Sequence, residues 1–146
     1  MSELINIIND ADIHRIKVGM SASYSQTITD ADIKSYAGLS GDNNPVHMDA
    51  EYAENSRFGK RVAHGLFYAG FFSALFGTKL PGPGCIYVSQ SLEFKRPVYI
   101  DDTVTATVVV NDIDNKKGRV FFNTFCKVKN KIVLNGEAEI YIPSSK

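Results

Sequence analysis

The spacing of apolar residues changes near position 85: from Thr29 up to it they recur at helical intervals, and after it they alternate. Ser21 to Thr29 (SASYSQTIT) alternates weakly and is rich in residues that suit strands, which predicts a first strand. Thr29-Asp30-Ala31-Asp32 reads as a helix start, because Thr29 can accept free backbone N–H groups and the two acids favour the positive helix end. Ile33, Tyr36, Ala37 and Leu39 supply its apolar face, and Ser40-Gly41 its stop. A short helix is predicted over 50–55, capped by Asp49. Gly65 to Leu80 (GLFYAGFFSALFGTKL) is apolar on nearly every side, which predicts a buried helix about 24 Å long at 1.5 Å per residue. Pro81-Gly82-Pro83-Gly84 ends it.

From Cys85 onward strands are predicted over 86–94, 103–110, 119–128 and 132–142. Val104, Ala106, Val108 and Val110 give the second of these one strongly apolar face. Asn115-Lys116-Lys117-Gly118 and Lys129-Asn130-Lys131 have the composition of hairpin connections. A strand, then helices, then a run of antiparallel strands is an α+β order. A wholly buried helix against a long antiparallel sheet requires the sheet to curl around it.

The chain has 146 residues, which predicts a single domain over 1–146, with 1–17 a loosely attached extension. Lys plus Arg and Asp plus Glu both number 16, so there is no basic excess to suggest a nucleic-acid partner. Cys85 and Cys126 lie in apolar, strand-like text and are expected as two small buried residues in a reducing compartment. The start, MSELINIINDADIH, lacks the features of a signal peptide, and no stretch reaches the roughly 18 to 20 apolar residues of a membrane span. No membrane association is expected, and the expected location is the cytoplasm.

Candidate chemistry concentrates in Gly41-Asp42-Asn43-Asn44-Pro45-Val46-His47, a loop with an imposed bend. Asp42 and His47 are close enough in sequence to face one cavity as an acid/base pair, with Asn44 orienting one of them. An Asx turn with a solvated Asp and a surface His would produce the same text. His64-Gly65 lies at the start of the apolar helix, where free N–H groups and positive potential could hold a substrate oxygen. Tight helix–sheet packing is the other use of Gly65. Ser73, eight residues further on, falls on roughly the same helix face and either lines a substrate tunnel or bonds back to its own helix. His14 reads as a solvated side chain. The paired spacings of a metal site are missing, as are a nucleophile elbow and a phosphate loop, so no metal is predicted.

Several of these fragments together resemble the (R)-specific enoyl-CoA hydratases of the MaoC-like dehydratase group. They are Tyr36 to His47, with its Asp-x-Asn-Pro-x-His core, Phe58, Val62-Ala63-His64-Gly65-Leu66, Phe72 to Gly77, Leu80 to Gly84, Tyr87 to Phe94, and Arg96-Pro97-Val98. The resemblance covers roughly Thr27 to Tyr141. It implies the hotdog fold, a curved antiparallel sheet wrapped around one long central helix, and a homodimer whose sheets join. It implies reversible syn hydration of a trans-2-enoyl-CoA to an (R)-3-hydroxyacyl-CoA. Asp42 and His47 would be the catalytic pair, with Asn44 in support. The Gly65 N–H would bind the thioester oxygen, Ser73 would stand beside the acyl group or the pair, and His64 and Phe67 would contact substrate. No cofactor is implied, because CoA is part of the substrate. A dehydratase acting on acyl carrier protein is the nearest alternative, with Lys60, Arg61, Lys95 and Arg96 as docking charges that would equally suit CoA phosphates. A thioesterase and a non-catalytic acyl-CoA binder are more distant ones.

Overall fold

The structure is a computed structural model that describes residues 10–144. Strand β1 (Ser21–Thr27) leads into helix α1 (Asp30–Ser40), two short helices α2 (Pro45–Met48) and α3 (Ala50–Glu54), and the long helix α4 (Gly65–Thr78). Strands β2 (Ile86–Gln90), β3 (Glu93–Phe94), β4 (Thr103–Asp114), β5 (Arg119–Val128) and β6 (Lys131–Tyr141) follow. They form one antiparallel sheet in the order β1-β4-β5-β6-β2, with β3 also pairing to β6.

Alternation decides which sheet face carries the helix. Val104, Ala106, Val108 and Val110 of β4 and Val120, Phe122 and Cys126 of β5 are each no more than 1% exposed. They meet Tyr68, Phe71, Phe72, Leu75 and Phe76 of α4 in one core. On the opposite face, hydroxyls pair across β1 and β4: Ser23 with Thr107, Ser25 with Thr105, and Thr27 with Thr103. The predicted strand over 86–94 is divided between β2 and β3. At the break, the Ser91 carbonyl lies so close to Gly136 of β6 that no side chain would fit there.

Three expectations are corrected. The apolar helix is buried on one side only, and Leu66, Gly70, Ser73, Ala74 and Gly77 are exposed on the single chain. Leu39 is 90% exposed, because it lies two residues, about 200°, round α1 from buried Ala37. Residues 10–17 are not loosely attached: the Ala11 N–H donates to the Pro83 carbonyl at 2.7 Å, and Ile16 enters the core. The rest of the expected extension, 1–9, lies outside the described residues. Of the cysteines, Cys126 is buried and Cys85 is half-buried. Among the described residues no helix is long and apolar enough to cross a membrane.

Candidate active site

The Gly41–His47 segment is held by its own polar groups. Gly41 ends α1 in the left-handed conformation (φ 80°), and its N–H donates to the Ala37 carbonyl. The chain then turns: the Asp42 N–H donates to Ser40 Oγ, and Asp42 Oδ1 accepts from the Asn44 N–H at 3.2 Å. Asn44 Oδ1 accepts from the Val46 N–H and caps α2, with Pro45 at its first position. What reads as loop in the sequence is therefore partly helical, and His47 stands on that short helix rather than on an irregular loop. Thr29 caps α1 as its sequence predicts, and the Asp32 carboxylate accepts in return from the Thr29 N–H, which makes a capping box.

The Arg61–His64 segment grips this turn from the other side. His47 Nδ1–H donates to the Val62 carbonyl at 2.7 Å, which leaves Nε2 bare when the ring is neutral. The Val62 N–H donates to the Val46 carbonyl, and His64 Nε2–H donates to the Asp42 carbonyl at 2.9 Å. The segment is itself fixed to the sheet end, because the Ala63 N–H donates to the Val98 carbonyl. His47 and His64 stack with ring centroids 3.9 Å apart, and Tyr36 packs on His64. One donor atom each from Asp42, His47 and His64 lies within 4.8 Å of the other two. Stacked imidazoles aim their in-plane lone pairs poorly at a common ion.

Burial, the largest influence, lowers the pKa of His47; His64 nearby lowers it further, while the Val62 carbonyl and Asp42 oppose. Neutral imidazole is thus favoured at physiological pH. Asp42 remains exposed, whereas His64 is 2% exposed and its Nδ1 has no partner among the described residues.

Asp42, Asn44, His47, His64 and Gly65 line one cavity of about 570 Å³, together with Tyr68, Phe94 and the cationic residues Arg57, Lys95 and Arg96. Gly65 opens α4, and among the described residues its N–H meets no acceptor. The Phe94 ring occupies the space a Gly65 side chain would need, so any larger residue would displace the ring. A second cavity of similar volume lies between 10–15, 115–118 and 141–144, where His14 is exposed.

The remaining expected site residues lie elsewhere. Ser73 is on the exposed face of α4 and does not line this cavity. Phe67 packs against Tyr36 and Phe71 instead. The His64 ring forms cavity wall, but its bond is to the Asp42 backbone. Arg61 is not a free docking charge: its side chain is 15% exposed and is bonded inward to His47 and Asp30. Sequence reasoning missed the Val62 carbonyl and the Phe94 ring. The first gives no signal in a side-chain code, and the second is one apolar residue in a strand-like run.

An antiparallel sheet carrying one long helix, with a carboxylate and an imidazole lining a cavity at the start of that helix, defines a hotdog-fold protein. The MaoC like domain family matches residues 13–133, and the chain belongs to that family. It is 53% identical over 129 residues to an (R)-specific enoyl-CoA hydratase of Rhodospirillum rubrum, covering 88% of this chain and 90% of the relative. It is 35% identical over 139 residues to a mitochondrial 3-hydroxyacyl-acyl-carrier-protein dehydratase of Solanum lycopersicum, covering 93% and 83%. The solved (R)-hydratase from A. caviae superposes with a TM-score of 0.86 at 36% identity, covering 88% of this chain and 98% of that one.

Proposed function

We propose that the protein is an (R)-specific enoyl-CoA hydratase, adding water reversibly and syn across a trans-2-enoyl-CoA to give an (R)-3-hydroxyacyl-CoA. The observation that carries this reading is His47, whose Nδ1–H is tied to the Val62 carbonyl so that Nε2 is left bare on a residue that shares its cavity with Asp42. A water held by Asp42 and His47 attacks the β-carbon. Its proton passes to the pair as the carbon–carbon π electrons move toward the thioester. The Gly65 N–H, at the positive end of α4, stabilises the enolate oxygen that forms. The proton then returns to the α-carbon on the same face, which closes the atom balance and gives syn addition. Asn44 supports the pair through its N–H to Asp42 and its cap on α2. This chemistry draws on no metal or organic cofactor.

Arg57, Lys95 and Arg96 around the cavity suit an anionic carrier. The similarity to acyl-carrier-protein dehydratases supports a second reading, the same reaction on a protein-bound thioester. We also propose a homodimer joined at β2. That edge strand exposes Ile86 (48%), Tyr87 (38%) and Val88 (44%), an apolar edge of the kind that pairs with another chain. Two free cysteines fit the cytoplasm as the location.

The deciding experiment follows loss of enoyl absorbance on crotonyl-CoA with chiral analysis of the product, beside the matching carrier-protein thioester. Exclusive formation of the (R)-3-hydroxy product from the CoA ester supports the hydratase. Turnover confined to the carrier-protein ester supports the dehydratase. Release of free thiol would indicate a thioesterase, and no turnover with either ester would leave the non-catalytic binder.

A further inference from the structure

We propose that Arg61 is a positioning residue for His47, a role that rests on the acid–base reading of the site. Arg61 Nε–H donates to the His47 carbonyl at 2.6 Å, and Nη1 donates to Asp30 Oδ1 at 2.7 Å. Helix α2 has only four residues, so it lacks the following turn whose N–H groups would donate to its carbonyls. Arg61 supplies a donor to one of them. Asp30, at the other end of the guanidinium, is the first residue of α1. The Asp42 turn is strung between the end of α1 and the start of α2, and Arg61 braces the two helices across it.

The brace acts on the imidazole through the next residue. Arg61 holds the backbone of His47, and Val62 holds its Nδ1–H. Consecutive residues thus fix both ends of one side chain and leave Nε2 directed away from the Val62 bond. The planar fork reaches two acceptors in different directions, which an ammonium does poorly. Stability alone accounts for Arg61 badly, because among the described residues Nη2 is buried without a partner and a half-satisfied buried cation is costly. Lys34 also pairs with Asp30, so α1 keeps a cation near its first acid without Arg61.

The test compares wild type, Arg61→Met, Arg61→Lys and Asp30→Asn by enoyl-thioester hydration and by the imidazole nitrogen signals of His47. The expected result for Arg61→Met is a kcat about 10- to 100-fold lower, as for a displaced reacting group, with KM within about twofold. Its His47 signals lose the fixed Nδ1–H form. Arg61→Lys recovers part of kcat, and Asp30→Asn, which breaks only the remote bond, loses less than Arg61→Met. A folded Arg61→Met variant with wild-type kcat and unchanged His47 signals overturns the proposal. Should that variant not fold, Arg61→Lys is measured in the same two ways: a lowered kcat with altered His47 signals supports the brace, and wild-type values of both overturn it. If the wild type hydrates no enoyl thioester, the hydratase reading falls and the nitrogen signals alone decide whether the brace exists.

Discussion

Along β4 and the inward face of α4, side chains meet their own kind, and the buried hydroxyl of Thr124 accepts from Gln90 Nε2 at 2.8 Å. In the corner from Asp42 to Gly65 the bonding is incomplete. Among the described residues, His64 Nδ1 and Arg61 Nη2 are buried without partners and the Gly65 N–H meets no acceptor, and Asp42 is exposed. The first region is stabilised by removing apolar surface from water, so its residues are exchangeable for others of similar volume. The second holds polar groups in fixed directions with bonding capacity left over, which is the condition for acting on another molecule. A fold can carry such a corner because the other region stabilises it. Substitutions in the two regions should therefore separate stability from turnover.

The largest separation is expected at Asp42. Asp42→Asn keeps the shape of the turn but cannot take a proton, so hydration of crotonyl-CoA should fall by about 10² to 10⁴-fold with an unchanged thermal midpoint. Equal activity in the variant would end the proposed pairing. Gly65→Pro comes next. Proline at the first helical position removes the N–H yet suits a helix, and His64 already has the extended backbone (φ −64°, ψ 126°) that a following proline favours. Phe94 is 48% exposed and so can swing aside. The loss in kcat should be about 10² to 10³-fold with circular dichroism retained, whereas a melted helix would point to packing as the role of Gly65.

The converse behaviour belongs to the core. Phe72→Ala empties a fully buried position and should cost about 3 to 5 kcal/mol in urea unfolding. The molecules that stay folded should keep their turnover. Gly136→Ala should also destabilise, by about 1 to 3 kcal/mol, because its methyl group would meet the Ser91 carbonyl, a backbone atom that cannot rotate away.

The smallest effect links the two regions through pH. Burial lowers the folded-state pKa of His47, so as pH falls through the ordinary imidazole value of 6.5 the unfolded chain binds the proton first. Protons favour the unfolded state there, and stability declines toward acid from this group. His47→Gln should lessen the drop in thermal midpoint between about pH 7 and pH 5. By the same sign, the acid limb of kcat/KM should lie below pH 6.5. A limb above that value would mean that His47 works in the charged form.

How much of this is legible in the sequence follows from what each feature depends on. The helix start at Thr29, the stop at Gly41 and the inward face of β4 are local, and the structure agrees with the sequence at each. The short helix at Pro45–Met48 reads as loop, because its cap Asn44 also has the composition of a turn. The exposed side of α4 is hidden in the sequence because overall apolarity does not say which side a single chain covers. Asp42, His47 and Gly65 stand out by residue type and resemblance, and the fold brings them to one cavity. Ser73 and Phe67 stand out on similar grounds and lie outside it.

By itself the sequence determined the periods, the caps and the type of chemistry available, since these depend on neighbours within a turn of helix or a pair of strand positions. Only the tertiary structure decided that the Val62 carbonyl would fix the tautomer of His47, that Arg61 would turn inward, and that Phe94 would lie over Gly65. Those contacts join residues 14 to 29 positions apart. Their geometry is set by how the long helix sits on the sheet, and the sheet positions it through apolar packing that is blind to which polar group ends up facing which.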